Sequence, residues 1–340
     1  MSSSMTTPIA RHPSTLSLRD QFGRSIEYLR ISVTDRCNFR CVYCMPESGM
    51  QWLPKADILS YEEIAEVVRQ LAPLGLRRLR ITGGEPTIRP QIHELIRMLR
   101  AVPEIEDIAL STNGVRLPEI AGLLRESGLD RVNMSVDSLH EERIVTIARR
   151  KLGFDPVRSA QAAEDAGLAP IKLNVVVMRG VNDDEIETLA RLTVDHPWHV
   201  RFIELMPVGD LRSLTWEHVV PSDEILARLN AIAPLSPSSG PPKGNGPAAY
   251  YAWPDARGTV GVITPMTHTY CASCNRVRLT ADGRLRTCLF GDHEVDLRTA
   301  LRAGERLEPL FRDALANKPK EHELLQMKVG GLKALSQVGG

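Results

Sequence analysis

Short runs rich in β-branched and aliphatic residues alternate along this chain with longer stretches whose apolar residues recur every three or four positions. The short runs predict strands over 28–33, 77–81, 107–111, 131–135, 171–177 and 200–204. Between the first two lies an amphipathic segment that opens at Ser60. Ser60 followed by Glu63 has the form of a capping box, and Ile64, Val67, Val68 and Leu71 make one apolar stripe. Gly75, Gly128 and Gly167 each mark a helix exit shortly before the next strand.

Six β–α alternations call for parallel strands joined by right-handed crossovers. Two α/β architectures satisfy that: an open doubly wound sheet, or a partial (β/α)6 barrel of the TIM type with a C-terminal extension. The barrel is preferred, because a cysteine loop rather than a G-x-G-x-x-G turn follows the first strand. The polar motifs also fall at the C-terminal ends of the strands, where a barrel collects its chemistry. A Pro/Gly/Ser-rich stretch at 234–247 punctuates the chain. The expected organisation is a disordered extension over 1–19, a core over 20–233, the connection, and a C-terminal region over 248–340.

Composition narrows the partners. Lys+Arg and Asp+Glu both number 42, so no global field favours a nucleic acid or a membrane, and anions must be bound by locally placed cations. No apolar run approaches the ~18 residues of a membrane span. The Ser/Thr-rich start, with Arg11 and no acid before Asp20, reads as a disordered tail in preference to a targeting peptide. All six cysteines sit in two tight groups, which indicates metal ligation in a reducing, cytoplasmic compartment rather than a disulfide framework.

The first group, Cys37, Cys41 and Cys44, puts three thiolates on one short loop with no fourth cysteine or histidine nearby. It reads as a [4Fe–4S] site with one iron open to a small molecule, the alternative being a structural knuckle with a distant fourth ligand. Gly83-Gly84-Glu85-Pro86 follows the second strand; its glycines allow close backbone approach and Glu85 can accept from an amino group. Ser135 ends the fourth strand, and Met206 follows the sixth. The second group, Cys271, Cys274 and Cys288, is either a second open cluster or a Cys3His zinc site completed by His268 or His293. Arg276 and Arg278 alternate beside it, as guanidinium forks suited to phosphate oxygens. Arg30, Arg80 and Lys172 lie on or beside strands; gathered in a barrel interior, they would need a highly anionic, phosphorylated ligand. Ser111 and Thr112, after the third strand, offer hydroxyl contacts. The chain's last two residues, Gly339 and Gly340, read as a frayed end or as a segment slim enough to thread a channel.

C-x3-C-x2-C with Tyr43 before the last cysteine resembles the signature of radical S-adenosylmethionine enzymes. The ordered set LRISVTDRCNFRCVYC, RITGGEPTIRP, LSTNG, NMSVDSL, KLNVVVMRGVND, RFIELMPVG, YCASCNRVRLTADGRLRTCLF and the final GG resembles the molybdenum-cofactor-biosynthesis family that cyclises GTP. The resemblance runs from about Tyr28 to the end. It implies that Cys37, Cys41 and Cys44 hold the cluster that cleaves S-adenosylmethionine, and that Tyr43, Gly84, Glu85, Ser135 and Met206 contact that cofactor. It implies that Cys271, Cys274 and Cys288 hold a second [4Fe–4S] cluster engaging guanine. Arg30, Arg80, Ser111, Thr112, Lys172, Arg276 and Arg278 would bind GTP, and the glycine tail would reach the active site. The implied reaction takes the ribose 3′ hydrogen and joins that carbon to C8 of guanine. The 3′,8-cyclo-7,8-dihydroguanosine triphosphate would pass to cyclic pyranopterin monophosphate synthase. A flavodoxin or ferredoxin donor and a homodimer are further expectations. Ser111 replaces the family's usual threonine, and 147–153 lacks a threonine common near its arginines. A peptide-modifying radical enzyme with an auxiliary cluster is the alternative.

Overall fold

The computed structural model describes residues 17–46, 49–207, 214–241, 246–322 and 335–338. Six strands, β1 (Tyr28–Ser32), β2 (Arg78–Thr82), β3 (Asp107–Thr112), β4 (Arg131–Ser135), β5 (Lys172–Val177) and β6 (His199–Glu204), lie side by side in chain order, all parallel. Each ends within one residue of the predicted run. Helices fill the crossovers. The first, α1 (Tyr61–Leu71), opens on the anticipated box: Glu63 N–H donates to Ser60 Oγ (3.1 Å) and Ser60 N–H to the Glu63 carboxylate (2.7 Å). Its stripe Ile64, Val67, Val68 and Leu71 is fully buried, each side chain contributing about 1.5–3 kcal/mol relative to exposure. Gly75 leaves in the left-handed region at φ 115°.

The strands alternate by face. Leu29, Ile31, Leu79, Ile81, Ile108 and Leu110 join the helices in one core. Arg30 and Arg80 occupy the intervening positions and turn to the opposite, interior face.

The C-terminal region extends the core, adding strands to both edges of the same sheet. β7 (Ser236–Ser238) and β8 (Ala249–Ala252) pair antiparallel, and β8 pairs antiparallel with β9 (Thr259–Ile263), which lies parallel beside β6. At the other edge, β10 (Arg276–Leu279) lies parallel beside β1, followed by the antiparallel β11 (Arg284–Arg286) and β12 (Glu294–Asp296). The parallel core is therefore eight strands wide, from β10 through β1–β6 to β9, and its ends are not paired with each other among the described residues. Part of the Pro/Gly/Ser stretch is itself strand, since β7 lies within it. The N-terminal boundary also shifts. Leu18 is 1% exposed in the core and its N–H donates to Leu74 O, so the folded chain begins before Asp20. Residues 1–16 lie outside the described residues.

Candidate active site

The loop after β1 carries the first cysteines and is pinned from two sides. From the turn after β2, Gly84 N–H donates to Thr34 O (2.7 Å) and Glu85 N–H to Arg36 O (2.8 Å). A Cβ at Gly84 would stand 2.1 Å from the Arg36 carbonyl oxygen, so this glycine is required by the cysteine loop itself. From α4 (Glu141–Ala148; α2 is Ile92–Arg100 and α3 Leu117–Glu126), Ile147 O and Ala148 O accept from Val42 and Arg40 N–H. Glu85 is buried and mainly braces the turn. Its Oε1 accepts from Thr87 N, Thr87 Oγ1 and Thr112 Oγ1, and its Oε2 from Asn113 N (2.7 Å). Oε2 keeps capacity for one more donor. Thr112, expected to offer a hydroxyl to a ligand, spends it on Glu85; Ser111 beside it stays half-buried on the chamber wall.

Cys37, Cys41 and Cys44 all line a chamber of about 290 Å³ at the C-terminal ends of the strands. Burial pushes the Cys37 thiol up to about 12 and Cys44 to about 11, and holds Cys41 well above its usual value. Mutual repulsion adds to this for Cys37 and Cys41. Three such sulfurs become thiolates only when a cationic centre binds them. Tyr43 between them donates its hydroxyl to Asp137 Oδ2 (2.6 Å), while Val176 N–H holds Oδ1. Burial pushes Asp137 up to about 6, against these hydrogen bonds. Gly84, Ser135 and Met206 line the same chamber.

The same chamber is lined by a rung of arginines. In strand register, Arg278 of β10 faces Arg30 of β1, and Arg30 faces Arg80 of β2. Like charges directly opposite one another are unfavourable. Burial and then the flanking Arg278 and Arg80 depress Arg30, and burial first depresses Arg80 and Arg278 to about 10. Arg80 Nε is buried without a hydrogen-bond partner among the described residues. Lys172 does not line the chamber. It is buried beneath it, pushed down to about 6 by burial and by Arg131, Arg201 and Arg80. Arg131 is neutralised by a bidentate pair with Asp107 (2.9 and 2.5 Å). Arg201 donates to Asn133 Oδ1 (2.9 Å), has a buried Nε without a hydrogen-bond partner among the described residues, and lines the chamber. Neither Arg201 nor Asp137 was singled out from sequence. Strand alternation from Val200 and the place of Asp137 two residues after Ser135 were the available signals.

The second trio flanks this chamber, with neighbours Tyr270, Arg276 and Leu289 on its wall. Cys288 packs on Met266 and Phe290, as do Met206, Leu289 and Leu335 of the wall. Burial alone would raise Cys274, but Lys318 and then Arg276 bring it down to about 7. His268 lies beside Asp223 (3.8 Å) and His293 is exposed; the histidine that meets the trio is His322, whose backbone N–H bonds Cys271. Among the described residues no three His, Cys, Asp or Glu side chains are placed to hold a single ion. A four-iron cluster, whose ligands attach to different irons, needs no such convergence. Leu335 and Ser336 also line the chamber, Ser336 hydrogen-bonds Cys44, and Val338 O accepts from Arg278 (3.3 Å). Gly339 and Gly340 lie outside the described residues. No helix among the described residues is long and apolar enough to cross a membrane.

Residues 31–193 match the Radical SAM superfamily, and residues 198–324 match Molybdenum Cofactor Synthesis C. A GTP 3′,8-cyclase of Pelotomaculum thermopropionicum is 47% identical over 327 residues, covering 95% of this chain and 100% of that protein. Another, of Moorella thermoacetica, is 46% identical over 328 residues with the same coverage. Among solved structures, Streptococcus suis SuiB superposes with a TM-score of 0.61 at 14% identity, over 86% of this chain and 67% of that one. SuiB bound to S-adenosylmethionine gives 0.59 at 15%, over 92% and 74%. Likeness at that identity speaks for the fold.

Proposed function

This chain belongs to the GTP 3′,8-cyclase family of radical S-adenosylmethionine enzymes, and from that premise we propose how its residues divide the work. The enzyme binds S-adenosylmethionine and an iron–sulfur cluster and acts on GTP in the first step of molybdenum cofactor biosynthesis. The peptide-modifying alternative is not favoured.

On our reading Cys37, Cys41 and Cys44 hold the cluster beside S-adenosylmethionine. Their crowded, buried sulfurs fit a cationic group that binds thiolates. When bound, that group supplies an electron to the sulfonium and hence a radical that takes hydrogen. Asp137 fixes Tyr43 against the loop, and Gly84, Ser135 and Met206 frame the cofactor's place. Arg278, Arg30 and Arg80 grip the triphosphate, with Arg201 at the wall and Lys172 below it, and Ser111 adds a hydroxyl. Cys271, Cys274 and Cys288 would hold a second [4Fe–4S] cluster that would engage guanine, and Arg276, on the chamber wall, would join that site to the phosphate grip. The product passes to cyclic pyranopterin monophosphate synthase, and a flavodoxin or ferredoxin supplies the electron.

The observation that carries this reading is the in-register arginine rung lining the same chamber as the first cysteines. Cations packed this way call for a polyanion. Anaerobic incubation of reduced protein with S-adenosylmethionine and each of GTP, ATP, CTP and UTP tests it. A new nucleotide product is expected from GTP alone; equal yield from ATP would contradict a guanine-reading second site.

A further inference from the structure

Lys318 lies just beyond the helix Glu308–Ala316 and is 2% exposed. Its Nζ stands 3.6 Å from Cys274 Sγ and 3.2 Å from Arg276 O, and it also donates to Thr287 O. One ammonium thus ties the segment entering β10 to the residue before Cys288. An ammonium so deeply buried is costly unless an anion balances it. Burial first holds the Lys318 ammonium below its usual value and Arg24 adds to this, while Cys274 and Cys288, as thiolates, favour its charge.

The segment carrying Lys318 is itself strapped to the third ligand. Arg24 Nη1 donates to Cys271 O and to Lys320 O, each at 2.8 Å, and Nη2 to Pro319 O (2.6 Å). Asp20, buried, holds that guanidinium through Nε (2.5 Å), and Gln21 Nε2 donates to Lys318 O (3.3 Å). Lys318 and Arg24 together reach all three cysteine-bearing segments.

We propose that Lys318 is a positioning residue for the second trio: its ammonium donates to the Cys274 thiolate, holds the trio's segments together and stabilises the more negative, reduced state of the group bound there. This rests on reading Cys271, Cys274 and Cys288 as [4Fe–4S] ligands. It separates from a packing role because Lys318→Gln keeps N–H donors for the two carbonyls without the charge, whereas Lys318→Arg keeps the charge.

The test is anaerobic reconstitution of the full chain, an iron count, and an EPR-monitored redox titration. Signals of the second cluster are identified in protein with Cys37, Cys41 and Cys44 all replaced by Ala. Wild type and both variants are expected to hold about eight irons. Lys318→Gln should move the second cluster's midpoint to more negative potential and leave the first cluster's unmoved; Lys318→Arg should stay near wild type. Loss of the second cluster's irons in Lys318→Gln but not in Lys318→Arg carries the same meaning. An unmoved midpoint in Lys318→Gln, or iron loss in both variants, overturns the role of Lys318 alone. About four irons in wild type overturns the two-cluster reading beneath it.

Discussion

Three residues show how close surroundings write chemistry into single positions. Arg278 is tied to the rung and to Val338 O. Replacing it by Ala removes a charge-assisted contact worth about 1.5–3 kcal/mol, so GTP affinity should fall roughly ten- to a hundredfold. Cleavage of S-adenosylmethionine without GTP should persist; equal loss of both would break the proposed division. Lys172 offers a sharper readout. Burial and the arginines around it bring it to about 6, so the apo protein carries it neutral at pH 8. On the proposed reading a triphosphate bound above it would restore its proton, so GTP binding at pH 8 should take up protons. Calorimetry in buffers of differing ionisation enthalpy should show that uptake, and Lys172→Met should abolish it. Gly84 acts through space alone. Gly84→Ala would drive a methyl against the Arg36 carbonyl, so protein reconstituted with iron should lose most of the first trio's share while still binding GTP. Full iron loading would show that the loop tolerates the shift.

Elements with strong periodicity were legible. β1–β6 and the stripe of α1 could be read because a parallel strand buried on one face by helices selects aliphatic runs, and because Ser60 and Glu63 announce the helix start. The three- or four-residue strands β7, β8, β10, β11 and β12 were missed, since so few residues carry no period, and their pairing is settled by tertiary contacts. Arg276 and Arg278 were read as an alternating pair, but their neighbours across the sheet were not, because register is long-range information. The same limit hid Asp107, whose buried pair with Arg131 bridges β3 and β4. Arg131→Met should destabilise the fold by about 3–5 kcal/mol by stranding the Asp107 carboxylate, read as a lowered urea midpoint. A change under 1 kcal/mol would mean that Asp107 finds another partner.

At the scale of the whole molecule, a chain with zero formal charge concentrates cations on the interior face of its sheet. The C-terminal region makes this work: by laying β10 against β1 it completes the arginine rung and brings Tyr270, Arg276 and Leu289, neighbours of the second cysteine trio, to the chamber wall. That joining of radical source and nucleotide grip is the central claim, and isotope transfer tests it most directly. Reduced, anaerobic enzyme given S-adenosylmethionine and GTP deuterated at the ribose 3′ carbon should yield 5′-deoxyadenosine carrying one deuterium, read by mass spectrometry. 5′-Deoxyadenosine formed in GTP's presence without deuterium would show that the radical and the nucleotide do not meet there.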